Sequence, residues 1–359
     1  MEKCYFNSLL TKNQQSLHFS YFSDIIIHNN NLGVIMNKFR WCFIGTGNLA
    51  KIVAAQLNKS GRHEIVSCYT RNFEKAQAFA TKFGGIAYDT PEKAILADGV
   101  DGVYIVTTHN AHYRYAKLAI ELQKPAFVEK AFTVTAAETD ELIALAKEKN
   151  VYLCEAMWTW FSPTANKVKE WIDTNKIGKI NSASFTYHMK TTGRNDRHED
   201  KCRAGGALLD ITIYPITYAY RLWGIPEQIE ARGTLQNGVD LGEDIVFTYP
   251  DFKVNISASI NDFNGLEKMT INGESGRISA LLYHCKNGVT CRRGPFNKER
   301  FKGYGPLLNS YLDEFDAVSD DIRAGRKESP YIPLNATSDV MHILDEIRYQ
   351  IGLEFNDLE

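Results

Sequence analysis

The chain of 359 residues has no apolar run approaching the ~20 residues that a membrane-spanning helix needs. It has no Cys-x-x-Cys pair. Its seven cysteines are scattered, and the closest two, Cys285 and Cys291, with His284 next to the first, do not make a metal-ligand spacing. The reading is reduced thiols in a cytoplasmic protein, without a disulfide framework or a metal site. A formal net charge of −2 gives no electrostatic reason to bind nucleic acid or an anionic membrane. No internal repeat or low-complexity tract is present. What remains is the composition of an ordinary globular protein, long enough for about two domains.

Periodic patterning is also missing from residues 1–35. This stretch lacks the basic-then-apolar layout and the small-residue cleavage site of a secretory leader. Regular patterning begins at Met36, so Met36 is read as the natural start and residues 1–35 as an over-extended reading frame. A disordered N-terminal arm is the rival reading.

From residue 38 short apolar runs alternate with helical spacing. Strands are expected at 39–45, 64–70, 102–108, 125–129 and 151–157. Between them lie helices at 48–61, ending at Gly61, and at 73–83, with Asn72 as N-cap and a stop at Gly84-Gly85. A short helix opens at Thr90-Pro91, another spans 112–123, and a last one begins at Thr135, with Glu138 at capping-box spacing. Strands alternating with such helices imply βαβ units and a doubly wound parallel sheet over 36–155. After Pro163 the texture changes. One helix (163–178) precedes longer β-type segments at 180–190, 227–236, 244–250, 252–260 and 267–281, separated by turn signals at 249–252, 261–265 and 272–276. A buried helix is expected over 205–224 and an amphipathic one over 335–353. The fold class is therefore α/β: an N-terminal Rossmann-type sheet, then an α+β domain over 156–359 with an open, mostly antiparallel sheet.

Gly45-Thr46-Gly47-Asn48-Leu49-Ala50 follows the first strand and opens the first helix. This is G-x-G-x-x-A in strand–turn–helix context. Gly45 permits the tight turn, Gly47 leaves room for a pyrophosphate, and Ala50 allows close helix–strand packing. The helix N-terminus offers N–H groups to phosphate. A dinucleotide cofactor is expected. The second strand ends in Tyr69-Thr70-Arg71-Asn72, without the carboxylate that would bind a ribose 2′-OH. Thr70 and Arg71 suit a 2′-phosphate, so NADP(H) is favoured over NAD(H).

Ligands bind open parallel sheets beyond the carboxyl ends of the strands. Three segments arrive there: 107–112 (TTHNAH), 129–132 (EKAF) and 155–161 (EAMWTWF). They bring Thr107, Thr108, His109, Asn110, His112 and Glu129 toward the cofactor, with Glu129 read as either structural or a ribose contact. Lys130 sits in the same crevice, where a lysine can donate to a carbonyl or alkoxide oxygen.

These motifs together resemble the glucose-fructose oxidoreductase / inositol dehydrogenase (Gfo/Idh/MocA) family, over nearly everything from Met36 onward. Glu129-Lys130-Ala131 is similar to that family's Glu-Lys-Pro. Residues 155–163 (EAMWTWFSP) and 204–216 (AGGALLDITIYPI) resemble its dihydrodiol dehydrogenase and NADP-linked xylose dehydrogenase branch. The resemblance implies catalysis by Lys130 with Asp210 and Tyr214, whose four-residue spacing puts both on one helix face. A tyrosine beside Lys130 is expected to have a lowered pKa and to exchange the substrate hydroxyl proton. No metal is required.

Trp158, Trp160 and Phe161 are expected to wall the substrate pocket. Arg197 or Arg203 could reach it, although the charged stretch 193–203 reads first as a solvated loop. This chain departs from the family pattern at Ala131, Thr212 and Trp160, and the missing proline at 131 leaves the presentation of Lys130 less fixed. The resemblance implies an NADP(H)-dependent oxidoreductase interconverting a secondary alcohol and a carbonyl on a sugar, polyol or cyclic diol. The alternatives are a glycosidase that retains its nicotinamide, or a nucleotide- or sugar-sensing regulator. A homodimer or homotetramer is expected, because an open sheet face needs cover.

Overall fold

The computed structural model describes residues 37–193, 197–262, 267–284, 288–303, 311–355 and 358. The expectations for residues 1–35, for Cys285, for most of the turn at 261–265 and for 194–196 of the charged stretch lie outside the described residues.

The first sheet and its helices run β1 (Phe39–Ile44), α1 (Asn48–Ser60), β2 (His63–Tyr69), α2 (Phe73–Phe83), β3 (Ile86–Ala87), α3 (Pro91–Ile95), β4 (Gly102–Ile105), α4 (His112–Glu121), β5 (Ala126–Glu129), α5 (Ala136–Lys149) and β6 (Leu153–Ala156). Local chemistry sets the helix limits. Asn72 caps α2 by accepting from Lys75 N–H, and Thr90 caps α3 with Pro91 in its first turn. Thr135 and Glu138 close the capping box of α5, and Gly61 ends α1 in the left-handed region. The strand order is β3-β2-β1-β4-β5-β6 with every pair parallel, and it reverses direction between β1 and β4. That switch point is where a crevice opens beyond the strand ends. Strands β4, β5 and β6 are buried throughout, as their apolar runs require.

The second part contains α6 (Pro163–Asp173), β7 (Ile180–His188), α7 (Ile213–Trp223), β8 (Gln228–Gln236), β9 (Val239–Thr248), β10 (Lys253–Ser259), β11 (Lys268–Gly273), β12 (Gly276–Leu281), β13 (Val289–Arg293), β14 (Asn297–Phe301), α8 (Leu312–Arg323) and α9 (Leu334–Ile351). Its eight strands are ordered β14-β13-β12-β11-β7-β10-β9-β8. Only β7 and β10 pair in parallel, so the sheet is mostly antiparallel, as expected.

The structure adds and corrects elements. Strands β13 and β14 and helix α8 are additions to the sequence reading. The expected helix over 205–224 is α-helical only from Ile213. Before it, Leu208–Thr212 form a π-turn in which the Ala207 carbonyl accepts from the N–H groups of Asp210, Ile211 and Thr212. The C-terminal helices also return to the first sheet. Phe315 of α8 packs on Trp41, Tyr104 and Phe127 at ring separations of 4.9–5.2 Å, and Asp345 of α9 accepts from Ala136 N–H at the start of α5. Burying those aromatic faces is worth about 1.5–3 kcal/mol per large side chain. Residues 38–359 accordingly form one unit.

Candidate active site

The glycine turn after β1 is built for a phosphate. Gly45 has φ +109°, and a Cβ there would lie 2.4 Å from the Val106 carbonyl oxygen, so only glycine lets β1 and the end of β4 approach. A Cβ at Gly47 would meet nothing within 4 Å, which marks open space above the turn. Gly47 is the N-cap of α1, no side chain caps the helix, and its first turn carries no acid. Unclaimed N–H groups, a positive helix end and free space together fit a pyrophosphate held by the backbone of Gly47, Asn48 and Leu49. Thr46 is largely buried beneath the turn. At the end of β2, Thr70 is half-buried and Arg71 exposed, and neither residue is a carboxylate.

Beyond β4, Thr108 Oγ1 donates to Asn110 Oδ1 at 2.7 Å, fixing the loop that starts α4. His109 and His112 lie inside the protein. His109 Nδ1 is 3.1 Å from the Ala204 carbonyl oxygen, and burial, followed by His112 and Lys130, pushes its pKa down to about 3. His112 is fully buried between two carbonyl oxygens, Ala131 O at 2.8 Å from Nδ1 and Thr107 O at 3.3 Å from Nε2. Burial pushes its pKa down to about 4, so the ring is neutral and its single N–H belongs on the shorter contact. His112 therefore ties the β4 loop to the residue after Lys130, and is not presented to a cofactor as the sequence suggested. Glu129 also turns inward, in keeping with the structural one of its two readings. It is 3% exposed and accepts from the Tyr104 hydroxyl at 2.5 Å. Burial raises its pKa to about 7.

Lys130 follows β5 and reaches across to the π-turn. Its Nζ donates to the Asp210 carbonyl oxygen at 2.5 Å and to Asp210 Oδ1 at 2.9 Å, and it lies 5.0 Å from the centre of the Tyr214 ring. A π-turn advances more residues per turn than an α-helix, yet a separation of four still leaves Asp210 and Tyr214 on one side. Lys130 thus lies against both of the other residues expected in catalysis. The Lys130–Ala131 peptide bond is cis. Ala131 is fully buried and its carbonyl is bonded by His112, so the segment is well held without a proline.

Asp210 collects three cationic or potentially cationic partners. Arg197 Nη2 is 3.2 Å from Oδ1, and His198 Nε2 is 3.1 Å from Oδ2. Burial opposes ionisation of this carboxyl, but Lys130, His198 and Arg197 outweigh it and hold the pKa well below the usual carboxylate range. Arg197 therefore reaches the site, against the solvated-loop reading, while Arg203 pairs with Asp200 instead. His198 was missed. Its only sequence signal is its place in the charged stretch just before Gly205-Gly206.

Tyr214 overturns one expectation. Burial raises its pKa well above the ordinary phenol value, and the hydrogen bond from Trp158 Nε1, at 3.1 Å, offsets this only partly. Trp158 does wall the site, but Trp160 and Phe161 do not. Trp160 stacks on Tyr220 beneath the Arg221 guanidinium, and Phe161 packs on Tyr331. The 3-10 turn Trp158–Phe161 points successive aromatics in different directions, which residue type alone could not reveal. The other wall is Tyr187 and His284, rings stacked at 4.8 Å, with His284 6 Å or less from both Trp158 and Tyr214. His284 Nδ1 is bonded to the buried Glu267. Neither Glu267 nor His284 carries a local motif.

A reversing parallel sheet, a glycine turn with room for a phosphate at its first strand and a half-buried lysine at the same crevice are the features of an NAD(P)-dependent oxidoreductase. Residues 39–156 match the oxidoreductase family with an NAD-binding Rossmann fold, and residues 165–279 match the GFO/IDH/MocA C-terminal domain. The chain belongs to the GFO/IDH/MocA family. Among its relatives, the mouse trans-1,2-dihydrobenzene-1,2-diol dehydrogenase is 29% identical over 333 residues, covering 88% of this chain and 98% of the mouse protein. The NADP+-linked D-xylose 1-dehydrogenase of Hypocrea jecorina is 26% identical over 370 residues, covering 89% and 93%. A 3-ketoreductase from Actinomadura kijaniata, solved with NADP and TDP-benzene, shares the fold with a TM-score of 0.79 at 21% identity, over 88% of this chain and 98% of its own. Levoglucosan dehydrogenase, solved with NADH and levoglucosan, does so at 0.78 and 19%, over 88% and 97%.

Proposed function

We propose that this chain is an NADP(H)-dependent dehydrogenase or reductase that interconverts a secondary alcohol and a carbonyl on a sugar, a polyol or a cyclic diol. The observation that carries the reading is Lys130, 10% exposed at the sheet's carboxyl edge, oriented by Asp210 and set over Tyr214. A nicotinamide supplies the hydride chemistry at its C4 carbon when bound. Lys130 donates to the substrate oxygen and stabilises the charge that builds there as carbonyl becomes alkoxide. Asp210 stays ionised and keeps the ammonium aimed. Tyr214 stays protonated at neutral pH, which makes its hydroxyl a proton donor to the substrate oxygen in reduction. Lys130 and the Trp158 N–H then hold the phenolate that forms until the proton returns.

The names of the diol and xylose dehydrogenases support the substrate class, and the second name supports NADP. Arg71, at a β2 end without a carboxylate, supports a 2′-phosphate. The aromatic wall of Trp158, Tyr187 and His284 suits the flat faces of a ring substrate. The five described cysteines are free, in keeping with a cytoplasmic location, and no described helix is long and apolar enough to cross a membrane. Pairing into a dimer or tetramer would use the outer face of the second sheet, where Thr186, Arg232, Val246 and Ser257 line a concavity of about 480 Å³.

The test is a panel of aldoses, inositols and cyclic diols offered with NADP+ and with NAD+, following the absorbance of reduced nicotinamide. Reduction of NADP+ by at least one polyhydroxylated ring compound is expected. No reduction with any member of the panel, or a consistent preference for NAD+, sinks the reading.

A further inference from the structure

The π-turn that carries Asp210 is gripped from behind by β9. Gly206 has φ +126°, and a Cβ there would fall 1.9 Å from Asp240 Oδ1, so the backbone lies directly on that carboxyl group. Ala207 N–H donates to the Asp240 carbonyl oxygen at 3.0 Å, and Leu208 N–H to Asp240 Oδ2 at 2.6 Å. At the other end of the turn, Thr212 Oγ1 donates to Glu243 Oε2 at 2.5 Å. Thr212 is one of the positions at which this chain departs from the family pattern, so this hydroxyl is a feature of this chain.

Asp240 and Glu243 are 1% and 3% exposed. Their remaining oxygens, Asp240 Oδ1 and Glu243 Oε1, have no donor among the described residues. The Asp240 and Glu243 carboxyl groups hydrogen-bond each other; two carboxylates in contact cannot both ionise away from water, whereas a single shared proton satisfies both. Burial, then the neighbouring Asp240, holds the Glu243 carboxyl well above its ordinary pKa, which puts that proton on Glu243.

We propose that Asp240, Glu243 and Thr212 are positioning residues: through one shared proton they lock the π-turn and thereby hold Asp210 against Lys130. The catalytic consequence rests on the roles given above to Lys130 and Asp210, while the clamp itself does not. The arrangement is asymmetric. Asp240 must accept twice, from Leu208 N–H and from Glu243 O–H, while Glu243 must donate once and accept once. Glutamine can replace Glu243, its amide N–H standing for the carboxyl O–H. Leucine, close to aspartate in shape, cannot replace Asp240, because it accepts from neither donor; asparagine could, since Glu243 would then give up its proton and accept from the amide N–H.

The full-length chain with NADPH bound is compared as Glu243→Gln, Glu243→Ala, Asp240→Leu and Thr212→Val. Amide hydrogen exchange of residues 205–215, kcat, substrate KM and NADPH affinity are measured for each. Asp240→Leu and Glu243→Ala are expected to speed exchange in the turn and to lower kcat by roughly 10–100-fold, the usual cost of a misplacement near 1 Å, with NADPH affinity unchanged. Thr212→Val moves in the same direction. Glu243→Gln keeps both slow exchange and kcat to within about threefold, which an unspecific structural role would not reproduce.

Should Glu243→Ala or Asp240→Leu fail to fold, Glu243→Gln and Thr212→Val still decide the matter. The proposal is overturned if a folded Asp240→Leu or Thr212→Val leaves exchange and kcat at the wild-type level, or if Glu243→Gln is as damaging as Thr212→Val. Should the wild type turn over no alcohol, the functional reading fails, and the exchange data alone judge the clamp.

Discussion

Replacing Lys130 with methionine removes the charge and the hydrogen bonds while keeping most of the stem. Lys130 and Asp210 are each 10% exposed and 2.9 Å apart, so the pair is nearly dry. Stripping one partner from a buried ion pair costs about 3–5 kcal/mol. Asp210 keeps Arg197 at 3.2 Å and His198 at 3.1 Å, which places the loss of stability at or below the lower end of that range. The effect on catalysis is larger. Losing one donor to a developing oxyanion lowers kcat by about 10²–10³. Lys130 also orients Asp210, so a fall of about 10³ is expected, equivalent to about 4 kcal/mol on the barrier. NADPH affinity should change by less than about threefold, because the phosphate site is the backbone of the glycine turn. Absorbance of reduced nicotinamide gives kcat, nicotinamide fluorescence gives the affinity, and calorimetry confirms a folded variant. A folded Lys130→Met variant with kcat within tenfold of wild type would refute the reasoning.

Further outcomes are expected elsewhere. Gly45→Ala forces a side chain into the left-handed region and against the Val106 carbonyl, so it should cost at least about 1–2 kcal/mol and weaken dinucleotide binding; Tm and NADPH titration check this. Arg71→Ala should weaken NADPH by roughly tenfold and leave NADH unchanged, as expected for one charge-assisted phosphate contact, and paired binding curves decide it. Burial raises the Glu155 pKa from 4.5 to about 7. Its stabilising protonation is fully present below pH 4.5 and lost as pH rises through about 7. Glu155→Gln should therefore match the wild-type Tm near pH 4 and exceed it near pH 8; an equal Tm at both would show that the group does not titrate across that range.

The glycine turn, the helix caps and the alternation of strands and helices were legible because each is a local matter. Backbone sterics at Gly45, the hydroxyl of Thr135 and the apolar runs of β4 and β5 act over a few residues. The motif resemblance brought Lys130, Asp210 and Tyr214 together on paper, and the structure places Lys130 against the other two. Residue type did not tell Trp158 from Trp160, nor a solvated Arg197 from one bonded to Asp210. Those depend on the direction of a short 3-10 turn and on where a loop folds back.

The sequence by itself determined the class of fold, the phosphate-binding turn and the strand end that carries Lys130. Only the tertiary structure decided the electrostatics. It buried Tyr214 and so raised a pKa that a neighbouring lysine was expected to lower. It turned Glu129 and His112 inward, and set the Asp240–Glu243 pair behind Asp210. The reason is physical: periodicity and turn chemistry act between chain neighbours. Desolvation and ion pairing depend on what lies a few ångströms away in space, and Lys130 and Asp210 are 80 residues apart in sequence.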